Sequence, residues 1–132
     1  MGAWNATSFG NDAACDWLGD LEGYEDLSFV QEALQAVLSA GDDYIECDTA
    51  CEAIAAAEVV AALRGYPASS GADDINEWVG SNELEASDNL VRKALDALDR
   101  IQREPSELPE LWEDDPDWQA AMADLRKRLK MG

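Results

Sequence analysis

The chain has 132 residues, 29 carboxylates against nine Lys and Arg, no histidine and a formal net charge of −20 at pH 7. A hydrophobic share of 47% can build one core, so one folded domain over residues 1–132 is expected and a charge-driven disordered chain is excluded. A surface this acidic repels phosphate polymers and anionic lipid, so neither nucleic acid nor membrane is an expected partner.

The charge is unevenly spread. Residues 1–63 hold 13 carboxylates and no Lys or Arg, whereas residues 64–132 hold the other 16 and all nine bases. The longest apolar run, Ala53–Leu63, is interrupted by Glu58 and falls far short of the roughly 20 apolar residues of a membrane span. A secretory signal needs basic residues before an apolar stretch, and the first residues here are acidic instead. Three cysteines, Cys15, Cys47 and Cys51, form an odd set that suits a reducing compartment. A cytoplasmic protein is expected. Cys47 and Cys51 are four apart, but zinc would want a fourth ligand and there is no histidine, so the thiols read as small apolar fillers.

In chain order, the first helix is predicted to start at Asn11 or Asp12 and run to about Leu21. Ala14, Cys15, Leu18 and Leu21 share one face, with Trp17 at its edge. Asp12, Asp16 and Asp20 share another face at i, i+4, i+8. Trp4 and Phe9 precede this helix and are expected to pin an N-terminal arm onto the core. Burial of such a ring contributes about 1.5–3 kcal/mol. Ser28 and Gln31 have capping-box spacing, and Phe29, Val30, Ala33, Leu34, Val37 and Leu38 follow with helical periodicity until Gly41. Asp48 or Thr49 is expected to cap the next helix, with Glu52 at capping-box distance from Thr49. Its Ala-rich body, Ala50–Leu63, has the residue type most favourable to helix and ends at Gly65 and Pro67.

Residues 67–76 read as a loop, followed by a short helix around Ile75–Val79. After Ser87, the residues Leu90, Val91, Ala94, Leu95, Leu98 and Ile101 form the best-defined apolar stripe in the chain. Asp88 with Arg92, Asp96 with Arg100 and Asp99 with Arg103 are acid-before-base pairs at i,i+4, a solvated face adding about 0.2–0.5 kcal/mol each. A further turn of helix is expected at Leu108–Trp112. The last helix is signalled by Asp115 as cap and Pro116 at its first position, with Trp118, Met122, Leu125 and Leu129 along one side. Arg126, Lys127, Arg128 and Lys130 crowd its end, where cations suit the helix dipole. No convincing period-two alternation occurs. The fold class is therefore all-α: a single compact bundle of about six helices with the N-terminal aromatic arm packed on the core.

The opening Met1-Gly2-Ala3-Trp4, then Phe9, Asn11-Asp12, Ala14, Asp16 and Trp17-Leu18 resembles the start of the bacterial family catalogued as domain of unknown function 4259. Members begin Met-Gly-Thr-Trp-Gly-Thr-Gly-x-Phe and carry a late Glu-Leu-x-Glu-Leu-Trp stretch, here Glu107-Leu108-Pro109-Glu110-Leu111-Trp112. Asn5 and Thr7 stand where the family usually has Gly, and a β-branched Thr7 disfavours positive φ. The resemblance implies one domain beginning at residue 1 and carries over no catalytic residues.

Chemistry is constrained by what is missing. Without histidine there is no Ser-His or Cys-His pair, and neither GxxxxGK nor GxGxxG is present. No catalytic residue, cofactor or metal site is assigned. A carboxylate-metal-dependent hydrolase acting on a phosphorylated small molecule is the alternative function, with Asp12/Asp16/Asp20 or Glu113–Asp117 as its candidate ligands. The primary expectation is a non-enzymatic acidic binding protein that neutralises a basic protein partner, as an immunity protein, antitoxin or phage-type decoy does to a toxin or nuclease. Its expected contacts are Asp12, Asp16, Asp20, Glu22, Glu25, Asp26, Asp42 and Asp43, with Trp17 or Tyr24 as aromatic anchor. The expected state is a monomer or small homo-oligomer. A third option makes the Ala-rich face of Ala50–Leu63 the interface of a helical assembly.

Overall fold

A computed structural model describes residues 12–24, 26–40, 43–66, 73–82, 85–102 and 116–131. Among these residues there are six helices and no strand: α1 (Asp12–Leu21), α2 (Ser28–Leu38), α3 (Cys47–Leu63), α4 (Asp73–Asn82), α5 (Asp88–Ile101) and α6 (Pro116–Met131). The expected all-α class is what the chain adopts. The aromatic arm with Trp4 and Phe9, the helical turn at Leu108–Trp112 and the cap at Asp115 lie outside the described residues.

α3 is the axis of the fold, and each of the other five helices packs against it. Its sequence explains why. From Ala53 on, apolar residues run round the whole circumference, so this part of the helix has no polar stripe to turn to water and must be buried on all sides. Ala50, Ala53, Ala55, Ala56, Ala57, Val59, Val60 and Ala61 are fully buried, and Ile54 nearly so. Small side chains let neighbouring helix axes come close, within the usual 8–10 Å range. This burial corrects the assembly reading of Ala50–Leu63. The Ala-rich surface is spent inside the chain and offers no face to another copy.

The outer helices each contribute a stripe to this centre. Val30, Ala33, Leu34 and Val37 come from α2, and Leu90, Ala94, Ala97, Leu98 and Ile101 from α5. Met122, Leu125 and Leu129 come from α6, Ile75 and Trp78 from α4, and Trp17, Leu18 and Leu21 from α1. Val91 and Leu95 flank the α5 stripe half-buried.

Helix ends follow local chemistry, partly against expectation. Ser87 caps α5, accepting from the Leu90 N–H at 3.1 Å. Gly65, at φ +94°, ends α3: its N–H donates to Ala62 O at 3.0 Å and the next N–H, of Tyr66, to Ala61 O at 2.9 Å. That pairing satisfies two carbonyls of the last turn and needs a left-handed residue, which glycine supplies at no steric cost. The expected capping box at Ser28 is replaced. Ser28 is the first helical residue, and its N–H and hydroxyl both donate to Asp26 Oδ1, at 3.0 and 2.6 Å. Likewise α3 begins at Cys47, with Glu46 at the cap position and no side-chain cap bond, so neither Asp48 nor Thr49 caps it. α4 starts at Asp73, inside the stretch expected to be loop.

Acids of the i,i+4 pairs expected along α5 bond between elements, while Arg103, the expected partner of Asp99, lies outside the described residues. Asp88 pairs with Arg64 at 3.3 Å and Asp99 with Arg126 of α6 at 2.7 Å. Arg100, expected on a solvated face, is buried and donates to the backbone carbonyl of Asp43, tying the α2–α3 connection to α5.

Beyond the first turns, one charged residue interrupts the buried body of α3. Glu58 is 2% exposed, and Arg128 of α6 meets it with two bonds, Nη1 to Oε1 at 2.6 Å and Nη2 to Oε2 at 3.1 Å. The remaining Arg128 donors reach Asp124 Oδ2 at 2.9 Å and Tyr66 O at 3.3 Å. Burial pulls the Arg128 pKa down, but the hydrogen bonds and charges of Glu58 and Asp124 outweigh it and leave it raised. Removing one partner strands the other charge in the core, which costs about 3–5 kcal/mol in comparable buried pairs. Glu58→Ala and Arg128→Ala should each destabilise the chain by about that much in urea unfolding. The double substitution Glu58→Leu with Arg128→Met should recover most of the loss.

Candidate functional site

The acidic residues expected to bind a partner centre on α1 and the turn after it. Asp16, Asp20, Glu22, Asp26 and Asp43 are all exposed. α1 places Asp16 and Asp20 one turn apart on its outer side, because Trp17, Leu18 and Leu21 take the inner side. Asp12 opens α1 but its side chain, like Glu25 and Asp42, lies outside the described residues. Asp43 sits before α3, held through its carbonyl by Arg100.

The aromatic anchors separate. Trp17 is 4% exposed, so it is core and cannot meet a partner directly. That corrects its assignment as a contact. The reason is a three-ring stack. Phe29 of α2 lies parallel to Trp17 on one side, centroids 5.0 Å apart, and to Tyr24 on the other, 4.5 Å apart. Tyr24 caps the stack and remains 38% exposed. Its carbonyl accepts from the Trp78 indole N–H of α4 at 2.9 Å, and its N–H donates to Leu21 O at 2.9 Å. The turn carrying Glu22, Tyr24 and Asp26 is thus tied to α1, α2 and α4, a fixed platform for the acids around it.

Two further carboxylates join α1 from the start of α3. Glu52 is partly buried, and its pKa is raised first by that burial, then by the charges of Asp48 and Asp20. Like charge from two helices, Asp48 of α3 and Asp20 of α1, thus acts on one carboxylate. Sequence reading gave Asp48 and Glu52 to helix capping, which hid their role here. The usable signal was that Asp48 and Glu52 stand at i,i+4, where like charges destabilise a helix. Asp26 behaves oppositely. The hydrogen bonds from the Ser28 hydroxyl and backbone hold its carboxyl below the ordinary range. Its role is to start α2, and the stability it adds is lost as pH falls through its folded-state pKa.

Among the described residues no group of three or more Cys, Asp or Glu side chains is arranged to hold a metal ion. No described helix is long and apolar enough to cross a membrane. Cys51 is buried.

The family profile described as Domain of unknown function (DUF4259) matches residues 2–124. The chain belongs to this family. No curated protein and no solved structure matches the chain, so the function of this DUF4259 domain is argued from its own surface. The matched span takes in the α1 platform and all of α3, and stops before the cations at the end of α6.

Crowded acids cost stability that a partner can return. Glu52→Gln should stabilise the isolated chain at neutral pH by about 0.2–0.5 kcal/mol, the scale of one relieved i,i+4 repulsion. Because the folded-state pKa of Glu52 is raised, its penalty appears as pH rises through that pKa and disappears in acid. Thermal melts of the two proteins across pH should therefore converge below the pKa of an unfolded glutamate.

Proposed function

We propose that this DUF4259 domain is a non-enzymatic acidic binding protein whose α1 platform docks on, and blocks, a basic protein partner. Its concrete form is a cytoplasmic bacterial immunity protein or antitoxin, or a phage-type decoy, acting on a toxin or nuclease. The observation that carries this reading is the set of exposed carboxylates Asp16, Asp20 and Glu22, in a half of the chain that holds no Lys or Arg, beside an exposed, rigidly stacked Tyr24. Folding gains nothing from repelling carboxylates, but a basic groove would. Carboxylates at such a surface stand where the phosphates of a nuclease substrate would lie, and an aromatic ring ringed by charge is a common anchor. Inhibition is then steric, with charge steering the encounter.

The test compares two variants of equal net charge. One neutralises the platform (Asp16→Asn, Asp20→Asn, Glu22→Gln), and the other neutralises exposed acids elsewhere (Glu32→Gln, Glu85→Gln, Asp96→Asn). Cross-linked capture from the source cells identifies partners, and stopped-flow association is then measured across salt. Captured proteins should be basic, and the on-rate should fall about 10-fold or more at high salt. Only the platform variant should lose binding beyond the effect of net charge. Acidic partners, salt-independent association, or equal losses in both variants would overturn the proposal.

A further inference from the structure

Charge on this molecule is segregated, and the basic end has a shape of its own. Between the end of α5 and the outer face of α6 lies an open groove of about 600 Å³, lined by Gln102, Gln119, Ala123, Arg126, Lys127 and Lys130. That volume falls within the range of small-molecule sites. The lining follows from helical spacing: Gln119, Ala123, Arg126, Lys127 and Lys130 recur at intervals of three and four, so they share one side of α6, next to the stripe of buried Met122, Leu125 and Leu129.

The basic residues near this end do different work. Arg128 is consumed by Glu58. Arg126 Nη1 is held by Asp99 at 2.7 Å and Gln102 Oε1 at 3.1 Å, which fixes the guanidinium at the groove wall. Lys127 and Lys130 are exposed, and among the described residues neither makes an ion pair. Two exposed ammonium groups and one anchored guanidinium therefore line this hollow in a chain of net charge −20. Helix stability does not require this: a favourable dipole interaction is worth only tenths of a kcal/mol and is screened by salt.

We infer that the α5–α6 groove is a binding site for a small phosphate-bearing anion, held by Lys127 and Lys130 against the Arg126 wall. Lysine ammoniums act as point charges suited to tetrahedral phosphate. A planar carboxylate is best held by an open guanidinium fork, and one arm of the Arg126 fork, Nη1, is already engaged by Asp99 and Gln102. The overall charge does not forbid such binding, because acids beyond about 8 Å are screened at physiological salt while the groove cations act at contact. A nucleic acid polymer would run past the groove onto acidic surface, so the size of the hollow selects a small molecule. The cations lie beyond residue 124, where the family match ends, so this site belongs to this chain rather than to the family match. It is independent of the α1 platform.

Isothermal titration of the full chain with inorganic pyrophosphate tests the inference, with citrate as the carboxylate comparison. The wild type should give a saturable single-site isotherm with pyrophosphate and weaker binding of citrate. Lys127→Gln with Lys130→Gln, both exposed and therefore compatible with folding, should weaken pyrophosphate on the order of ten-fold or more. Arg92→Gln with Lys93→Gln on α5 makes the same change in net charge and should leave binding nearly unchanged. Absence of saturable binding, equal loss in both double variants, or citrate binding as tightly as pyrophosphate would each refute the site.

Discussion

The structure depends on one helix with no outside. From Ala53 on, α3 has apolar side chains on every face, and five other helices exist in their positions because they cover it. This single constraint settles how the others are built. Each needs only one apolar stripe, and each can turn the rest of its surface, with most of the carboxylates, to water. Such a division lets a chain of net charge −20 fold, since the repelling groups lie outside a common apolar centre. A smooth, Ala-rich helix nevertheless discriminates poorly between alternative packings. Glu58 supplies the missing discrimination: its two oxygens accept from Arg128 alone among the α6 bases in the described ion pairs. That fixes the register and rotation of α6, a role for which buried polar pairs have precedent.

Sequence periodicity made much of this legible. All six described helices were visible from apolar spacing and turn residues, α4 only as a shorter piece, and the strongest stripe, Leu90 to Ile101, became the α5 face of the core. Helix starts were less legible because several side chains could serve. Ser28 offers a hydroxyl, but Asp26 two residues earlier offers a stronger, charged acceptor and wins. Burial of charge was hidden for a related reason. Arg128 is one of four bases in five residues, and only three-dimensional packing selects the one facing Glu58. Arg100 sits at a position that the i,i+4 rule makes solvated, yet a long arginine can cross the core edge to reach the Asp43 carbonyl.

The candidate platform was half legible. The acids of α1 stand out in a region without any base, and the helix does expose Asp16 and Asp20. Trp17 could not be separated from Tyr24 by sequence, because either ring could lie at the helix edge. The stack on Phe29 decides it, burying Trp17 and leaving Tyr24 outermost. The influence of Asp20 on Glu52 joins residues about 30 positions apart and becomes visible only once α1 lies against α3. Platform and groove thus share a foundation: α1 is held by the first half of α3, and α6 by Glu58 in the second half.

Amide hydrogen exchange, read residue by residue, tests most directly whether α3 governs the fold. The N–H groups of Ala53–Ala62 should be the last to exchange, opening only with global unfolding, while α1 and α4 exchange earlier through local opening. Exchange along α3 that runs ahead of α2 and α5 would contradict a fold built around it.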